Sequence, residues 1–474
     1  MGNNVDSSEE NLHRRSYGAH LTSSDIFMDF IFPEIKENLW KYKWIDLYAG
    51  EGNLVLPILG AIPLEERSSF FKKHIYLSDI QEEMIGKCIK NAESYGIPSG
   101  VAPSNIKVRD NLEKFPTFLH EDNLPLFHIT NPPYLYLGYI NKHEETQRYL
   151  KFFKGENEGY QDLYQIAMIN DLRNKIDNLI YIIPSNFLFG ASVSNKFRLD
   201  FLKHYNIKKM IIFETKIFKY TGTNICIGFF FRKTEPKVEI VEFNGLKIKK
   251  KNQKIKRTYL LKPKYKYRAG SGFEEFLDEK RIENPLSVNY YLLKKEVMKN
   301  KGDIMIEVID ANNYRNNRYI TLDLYVNEHL KNKIKNNILY VRTVDTGSYN
   351  GRVGLGIINE DFNVYGIYVS GNTYRTHPIQ MFLDPELPIS QQKLLMDYFN
   401  FILEYFRKIL DSEFLTTYKY SQAEYTRKYL GLTQVRKLIQ TFPYKRLNQN
   451  FNDKLRNSIE SQDFEEIMEL ITKN

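Results

Sequence analysis

Four consecutive residues, Asn131-Pro132-Pro133-Tyr134, carry the sharpest chemical signal in the chain. Two prolines remove backbone donors and stiffen the loop, so the Asn131 side-chain oxygen and the Pro132 carbonyl can be held as two acceptors. Such a pair suits a planar NH2 group, and Tyr134 supplies a flat face against which a base can stack. The plain alternative is a proline-rich turn with a buried tyrosine. Upstream, Asp46-Leu47-Tyr48-Ala49-Gly50-Glu51-Gly52-Asn53-Leu54 follows an apolar run, and its glycines let the backbone pass close to a ligand. A tight turn would use Gly50 and Gly52 in the same way. The next two apolar runs end in Asp79 and Asp110, and an acid in the first of these places is where ribose hydroxyls need an acceptor. Three successive strands ending in Asp point to an adenosine-containing cofactor, although each acid taken singly could cap a helix.

These residues need a scaffold that brings strand ends together. Residues 1–240 alternate short apolar strands with helical stretches, which predicts an α/β sheet with helices on both faces. The expected strands are Trp44–Leu47, His74–Ser78, Ile106–Arg109, Leu126–Thr130, Leu179–Pro184, Lys208–Phe213 and Asn224–Phe231. Apolar spacing predicts helices over Gln81–Tyr95, Tyr160–Leu172 and Phe187–His204. The short connection Lys216–Thr223 permits a hairpin, so the sheet is expected to end in an antiparallel edge. Beyond residue 240 the pattern turns to Tyr/Asn-rich segments with glycine punctuation, and Gln391–Leu410 and Asp453–Thr472 read as helices. A second domain over 241–474 is therefore expected.

The chain has 474 residues, 67 Lys and Arg against 58 Asp and Glu, and two cysteines, Cys88 and Cys226. Two cysteines exclude a disulfide framework and a four-cysteine zinc site, and favour a reducing, cytoplasmic compartment. No run approaches the roughly 18 apolar residues of a membrane span, and the start has no signal-peptide core. Residues 1–240 hold 29 Lys and Arg against 30 Asp and Glu, whereas 241–474 hold 38 against 28. The densest part is Val241–Arg268, with 11 basic residues against Glu242 alone and with Tyr259, Tyr265 and Tyr267 among them. A polyanion would gain from that stretch by counterion release; a lysine-rich solvated strand pair is the bland reading.

Taken in order from Arg14 to about Phe231, these segments resemble the gamma-class N6-adenine DNA methyltransferases of restriction–modification type. Asn131–Tyr134 matches the N-P-P-Y of that family, and Asp46–Leu54 is similar to its D-P-x-x-G-x-G-x-F/L, with Leu47 in place of proline. Arg15–Ser23 resembles the N-terminal G-x-x-x-T-P segment, with Thr22 in the threonine position and Ser23 in place of proline. Asp162-Leu163-Tyr164 looks like the helix start that follows the catalytic loop, and Tyr181–Pro184 like the next core strand.

The resemblance implies a Rossmann-like S-adenosylmethionine-dependent methyltransferase sheet with an antiparallel edge hairpin, over residues 1–240. A basic, mixed α+β DNA target-recognition domain would occupy 241–474. It further implies S-adenosylmethionine as cofactor, held by Thr22, Asp46, Gly50, Gly52, Asp79 and Asp110, with Asp79 on the ribose and Asp110 facing the adenine amino group. Asn131, Pro132 and Tyr134 would be catalytic, and Phe218, or nearby Tyr220, would sandwich an extruded base. The target would be an adenine flipped out of double-stranded DNA, its N6 hydrogens held by the paired oxygens while the methyl is transferred directly, with no metal or strong base. The polar candidates for reading the sequence are Arg342, Asn350, Arg352, Arg375 and Gln380. A monomer is expected, with a separate cognate restriction endonuclease as an optional partner and no fused nuclease. The competing readings are an RNA or protein-glutamine N-methyltransferase and a non-catalytic DNA-specificity subunit.

Overall fold

The computed structural model describes residues 22–121, 123–215, 217–218, 224–249, 253–345, 351–420 and 426–472. Two compact units are present, the first running to Ala269 and the second beginning at Gly270. The first unit is built on nine strands: β1 (Lys43–Asp46), β2 (Ile75–Asp79), β3 (Ile106–Val108), β4 (Leu126–Thr130), β5 (Asn178–Pro184), β6 (Tyr205–Phe213), β7 (Ile225–Arg232), β8 (Val241–Ile248) and β9 (Lys254–Leu261). Their order in the sheet is β3-β2-β1-β4-β5-β7-β6-β8-β9.

β1 to β5 are parallel to one another, and β1, β2, β4 and β5 are buried on both faces, as a sheet covered on two sides requires. Ile45, Leu179 and Tyr181 fall in the core of one face, and Trp44, Leu77, Ile129 and Ile180 in the core of the other. Helices α1 (Glu82–Ser94), α2 (Leu163–Arg173) and α3 (Asn195–Leu202) supply part of the cover. In α1 the buried Ile85, Cys88 and Ala92 recur at helical spacing. The chain steps outward from β1 to β3 and then returns to lay β4 on the other side of β1. That reversal opens a crevice above the carboxyl ends of β1 and β4, where open sheets of this kind bind ligands.

Three expectations are corrected. The helix expected over Phe187–His204 is broken: Asn186–Phe189 is one turn, and α3 begins only at Asn195. A Cβ on Gly190 would meet the Asn186 carbonyl oxygen at 2.5 Å, and the buried Arg198 stitches the break by donating to the Phe187 and Gly190 carbonyls at 2.7 and 2.9 Å. The antiparallel strand is not the edge. β7 lies between β5 and β6 and is antiparallel to both, and the sheet continues through β8 and β9. In β8, Val241, Phe243, Gly245 and Lys247 are buried while Glu242 and Asn244 are exposed, so this alternating strand covers the otherwise open side of β6.

The third correction follows from the second. The basic stretch belongs to the first unit, whose span 1–269 holds 40 Lys and Arg against 31 Asp and Glu; residues 270–474 hold 27 of each. The positive excess therefore rides on β8 and β9 and the segment after them. β8 is parallel to β6, and β6 and β5 are each antiparallel to β7, so β8 ends and β9 begins at the same end of the sheet as the crevice.

The second unit is mixed α and β. It has strands β10 (Ser287–Tyr290), β11 (Leu292–Leu293), β12 (Lys301–Arg315), β13 (Arg318–Val326), β14 (Leu339–Arg342), β15 (Gly354–Ile357), β16 (Gly366–Val369) and β17 (Ile379–Asp384). They form two four-stranded sheets, β10-β17-β14-β15 and β11-β16-β12-β13. A 22-residue helix, α4 (Ile389–Leu410), buries Leu394, Leu395, Tyr398, Phe399, Ile402 and Leu403 in the main core of this unit. Among the described residues no helix is long and apolar enough to cross a membrane.

Candidate cofactor and catalytic crevice

The crevice is lined by the residues that follow β1, β2, β3 and β4. After β1 the backbone turns at Gly50 and Gly52, both in the left-handed region at φ 52° and 83°. Gly50 donates its N–H to Asp79 Oδ2 at 2.9 Å, while Asp79 Oδ1 accepts from Gln81 N at 2.9 Å. Asp79 is thus fixed at the end of β2 by backbone donors, and each of its oxygens keeps a further lone pair. Burial pushes its carboxyl above the ordinary range despite those bonds. Gly52 has a packing reason as well, because a Cβ there would meet Leu56 Cδ1 at 2.6 Å and Cys88 Sγ at 2.8 Å.

Asp110, after β3, accepts from Leu112 N and Glu113 N, both on Oδ1. The neighbouring Asn111 is buried, and its amide donates to the Leu47 carbonyl and to Ser78 Oγ at 2.5 and 3.0 Å. Its Oδ1 is buried and, among the described residues, has no hydrogen-bond partner. An unpartnered acceptor at the ends of β1 and β2, beside two carboxylates, suits a ligand rich in hydroxyl and amino donors. The donor set of S-adenosylmethionine is of that kind.

Asp46 points into the protein. It is buried, accepts from Thr130 Oγ1 at 2.6 Å and from Tyr48 N at 3.0 Å, and burial pushes its carboxyl up to about 6. It therefore joins the loop after β1 to the residue that precedes Asn131. The catalytic loop is held from a second side by Thr22. Asn131 Nδ2 donates to Thr22 Oγ1 at 2.9 Å, and Asn53 Nδ2 donates to the Thr22 carbonyl at 3.0 Å. One residue thus connects the glycine loop with the Asn-Pro-Pro-Tyr loop, 109 positions away from Asn131. Because the Asn131 NH2 end is taken by Thr22, its oxygen end is directed away from that contact. Of the expected Arg15–Ser23 segment, Arg15–Leu21 lie outside the described residues, as do Tyr220 and Asn350.

Pro132 is buried and Tyr134 half-buried, the tyrosine ring packing against both cores. The Tyr134 hydroxyl lies in hydrogen-bond contact with Asn131 Oδ1 and with the Ile182 carbonyl, the latter at 2.6 Å. A hydroxyl carries one proton, and Ile182 can take it, so Asn131 Oδ1 can be handed to an incoming amino group without stranding Tyr134. Burial raises the Tyr134 phenol well above its usual value and keeps it a donor. Phe218 is buried in the apolar core with Ile225 and Ile182, so in this arrangement it presents no face to a ligand.

Asp162 caps α2 and clamps the loop from behind: Oδ1 accepts from Leu135 N at 2.9 Å, directly after Tyr134, and from Tyr164 N. Burial pushes its carboxyl up to about 7. Sequence reasoning missed a buried network below the crevice. His128 Nε2 accepts from Leu47 N at 3.1 Å, which puts the ring proton on Nδ1, 2.6 Å from Asp171 Oδ2. Tyr181 donates to the same oxygen at 2.6 Å. The signal was present in the form of polar side chains inside otherwise apolar stretches of β4, α2 and β5, but nothing local joins residues so far apart.

In the second unit Gln380, expected to read bases, is wholly buried. It accepts from Ile367 N at 2.9 Å and donates to the Asn337 carbonyl at 3.0 Å, tying the two sheets together, so it is withdrawn as a candidate. Arg352 pairs with Glu404 at 2.7 Å, and Arg342 donates to Tyr340 Oη at 2.8 Å.

Residues 62–218 match the family model described as Eco57I restriction-modification methylase; the matched stretch begins after the Asp46–Asn53 loop and includes Asp79, Asp110 and Asn131–Tyr134. No curated protein matches the chain. Among solved structures the chain is similar to the type IIL restriction-modification enzyme MmeI in complex with DNA, at 12% identity and a TM-score of 0.53, over 94% of this chain and 71% of that one. It is also similar to the EcoKI M protein of a type I restriction enzyme, at 13% identity and a TM-score of 0.36, over 48% of this chain and 49% of that one. A type I restriction-modification methyltransferase subunit from Streptococcus thermophilus gives 16% identity and a TM-score of 0.34, over 49% and 48%. The chain spans about half the length of these two type I subunits. A third of the chain, with Asp79, Asp110 and the Asn131–Tyr134 loop, thus matches the sequence pattern of a restriction-modification methylase, and the chain shares the fold of a restriction-modification enzyme.

Proposed function

We propose that this chain is a site-specific DNA methyltransferase that moves a methyl group from S-adenosylmethionine to the N6 amino group of an adenine flipped out of the duplex. The observation that carries the reading is the position of Asn131. Its side-chain oxygen follows β4 at the sheet's reversal point, with its amide end tied to Thr22 and its loop tied through Thr130 to Asp46.

Bound S-adenosylmethionine supplies an electrophilic methyl group on a sulfonium. The acids around the crevice suit its remaining groups: Asp79 accepts from ribose hydroxyls, Asp110 takes the adenine amino group through its second oxygen, and Gly50 lets the backbone turn beneath. Asn131 Oδ1 and the Pro132 carbonyl accept the two hydrogens of the target amino group. Holding both favours a more tetrahedral nitrogen and stabilises the positive charge that develops on it. Tyr134 hands its hydroxyl to Ile182 and offers its ring to the base, offsetting part of the few kcal/mol that extrusion costs. A stacking role for Phe218 requires that side chain to turn out of the core. Lys254 and Lys256, exposed at the start of β9 and at the crevice end of the sheet, fit the phosphate backbone.

The test is methylation mapping of DNA from cells expressing the full chain, wild type or Asn131→Ala. N6-methyladenine at a fixed motif with wild type, lost in the variant while DNA affinity persists, supports the reading. N4-methylcytosine in its place keeps the chemistry and overturns the base; methylated RNA or protein with unmodified DNA overturns the substrate; full transfer by the variant overturns the role of Asn131.

A further inference from the structure

We propose that Arg375 reads a guanine in the target sequence, through the major-groove edge of that base. The inference rests on the DNA reading above and concerns a loop of the second unit, residues 370–377.

Six consecutive residues of this loop, 371–376, are exposed, yet the loop is pinned at both ends. At its start the buried Asp310 of β12 accepts from Ser370 Oγ at 2.6 Å and from Ser370 N at 3.4 Å. Asn312 then clamps the next two residues, accepting from Gly371 N at 2.9 Å and donating to the Asn372 carbonyl at 2.8 Å. The register of β12 against β13 shifts between Asp310 and Tyr314, and Asn312 lies inside that irregularity. A bulge is a common device for re-aiming side chains beside a working surface. At the far end Thr343 Oγ1 donates to the Arg375 carbonyl at 2.7 Å, and His377 N donates to the Tyr374 carbonyl at 3.2 Å. A loop held in one shape loses little entropy on contact, which is what recognition from an exposed position needs.

The side chain is prepared in the same way. The Arg375 guanidinium lies over the Tyr429 ring, 4.4 Å from its centroid. Contact with the ring face restrains the guanidinium without using its N–H donors, and two donors of a guanidinium match guanine O6 and N7. Among the described residues Arg375 forms no ion pair, in contrast to Arg352 on Glu404 and Arg407 on Glu404 and Asp345. An arginine without a carboxylate, stacked and exposed on a pinned loop, has its hydrogen-bonding capacity directed outward. Tyr374 beside it is 54% exposed and widens the surface.

The experiment maps methylated motifs for the full chain as wild type, Arg375→Ala and Arg375→Lys. Wild type should require guanine at one motif position. Arg375→Ala should relax that position alone, with the ratio of methylation at guanine to other bases falling roughly ten- to a hundredfold. Arg375→Lys should relax it too, because an ammonium keeps the charge but lacks the fork. An unchanged motif in Arg375→Ala, or slower methylation at every site without a change of motif, overturns the assignment and leaves the methyl-transfer reading in place. Absence of any methylated base with wild type refutes both.

Discussion

Replacing His128 by Leu removes the link between the glycine loop and the interior at a single point. His128 is wholly buried and makes two close bonds of different kinds, one from Leu47 N–H at 3.1 Å and one to the Asp171 carboxylate at 2.6 Å, beside a longer contact of 3.4 Å with the Tyr181 hydroxyl. Leucine is close in volume, so little of the loss comes from packing. It leaves the Leu47 N–H without an acceptor, at about 1–3 kcal/mol, and strips a charge-assisted donor from Asp171, at about 1.5–3 kcal/mol. The expected cost is about 3–5 kcal/mol, as for a broken buried pair. Among the described residues Asp171 then keeps only Tyr181 as a side-chain donor, so most of the penalty is that of a stranded carboxylate. Adding Asp171→Asn to His128→Leu should therefore recover roughly 1–3 kcal/mol, a coupling that a double-mutant cycle reads directly. Denaturant unfolding of wild type, the two single variants and the double variant gives the cycle. Isothermal titration should show S-adenosylmethionine binding about tenfold weaker in His128→Leu, equivalent to roughly 1.4 kcal/mol, with kcat at saturating cofactor changed less. Strictly additive losses, or a variant as stable and as tight as wild type, would refute the reasoning.

Asn131→Ala removes one of two acceptors at the developing charge and should lower kcat by about 10²–10³ in a labelled-methyl assay, with DNA affinity nearly unchanged; equal losses in both would point to misfolding. Lys254 and Lys256 are exposed on β9, and changing both to Ala should weaken binding to any DNA sequence. The slope of log K against log salt should then fall by about 0.9 for each phosphate that is no longer neutralised, whereas an unaltered slope would mean that other cations hold the DNA backbone. Asp162 and Asp46 hold their protons to about pH 7 and about pH 6, above the ordinary 3.8, because burial disfavours their charge. At these two carboxyls the native protein therefore binds more protons than the unfolded chain between about pH 4 and 7, and their contribution to stability falls as pH rises through that window. Asp162→Asn keeps an acceptor for Leu135 N–H without the charge, so its melting temperature should exceed that of wild type at pH 8 and converge with it near pH 4. Parallel pH profiles for the two proteins would contradict this.

The parallel half of the sheet was legible because strands buried on both faces appear as short apolar runs; β4 spans Leu126–Thr130, as expected, and β1, β2 and β5 lie within a residue of their expected bounds. Residues 241–268 were misplaced for a physical reason. Their lysines drew attention as charge, while the inward alternation of Val241, Phe243 and Gly245 that makes β8 a sheet strand is a weaker signal than 11 cations. The break after Phe189 depends on where the Gly190 Cα comes to lie against a carbonyl, which periodicity does not encode. Gln380 looked like a surface amide since its only distinguishing feature, a set of backbone partners on Ile367 and Asn337, exists once two sheets have come together.

The site divides along the same line. The chemistry at Asn131 follows from residue types and is local, so four letters suffice to suggest it. Its positioning is not local: Thr22, Asp46, Thr130, His128 and Asp171 reach it or the loop beside it across 43 to 109 positions. Thr22 and the Asp46–Thr130 pair each bridge the two loops that border the crevice, while His128 accepts from Leu47 N at the start of the first and Asp171 only holds His128 in place. Loosening either loop therefore disturbs the other, and cofactor affinity and methyl transfer should fall together whenever a bridging residue is changed. Substitution at Asn131 removes the Thr22 contact as well as an acceptor but leaves the Asp46 bridge in place, so methyl transfer should fall much further than cofactor affinity. That contrast distinguishes a residue that touches the reacting group from the residues that hold it there.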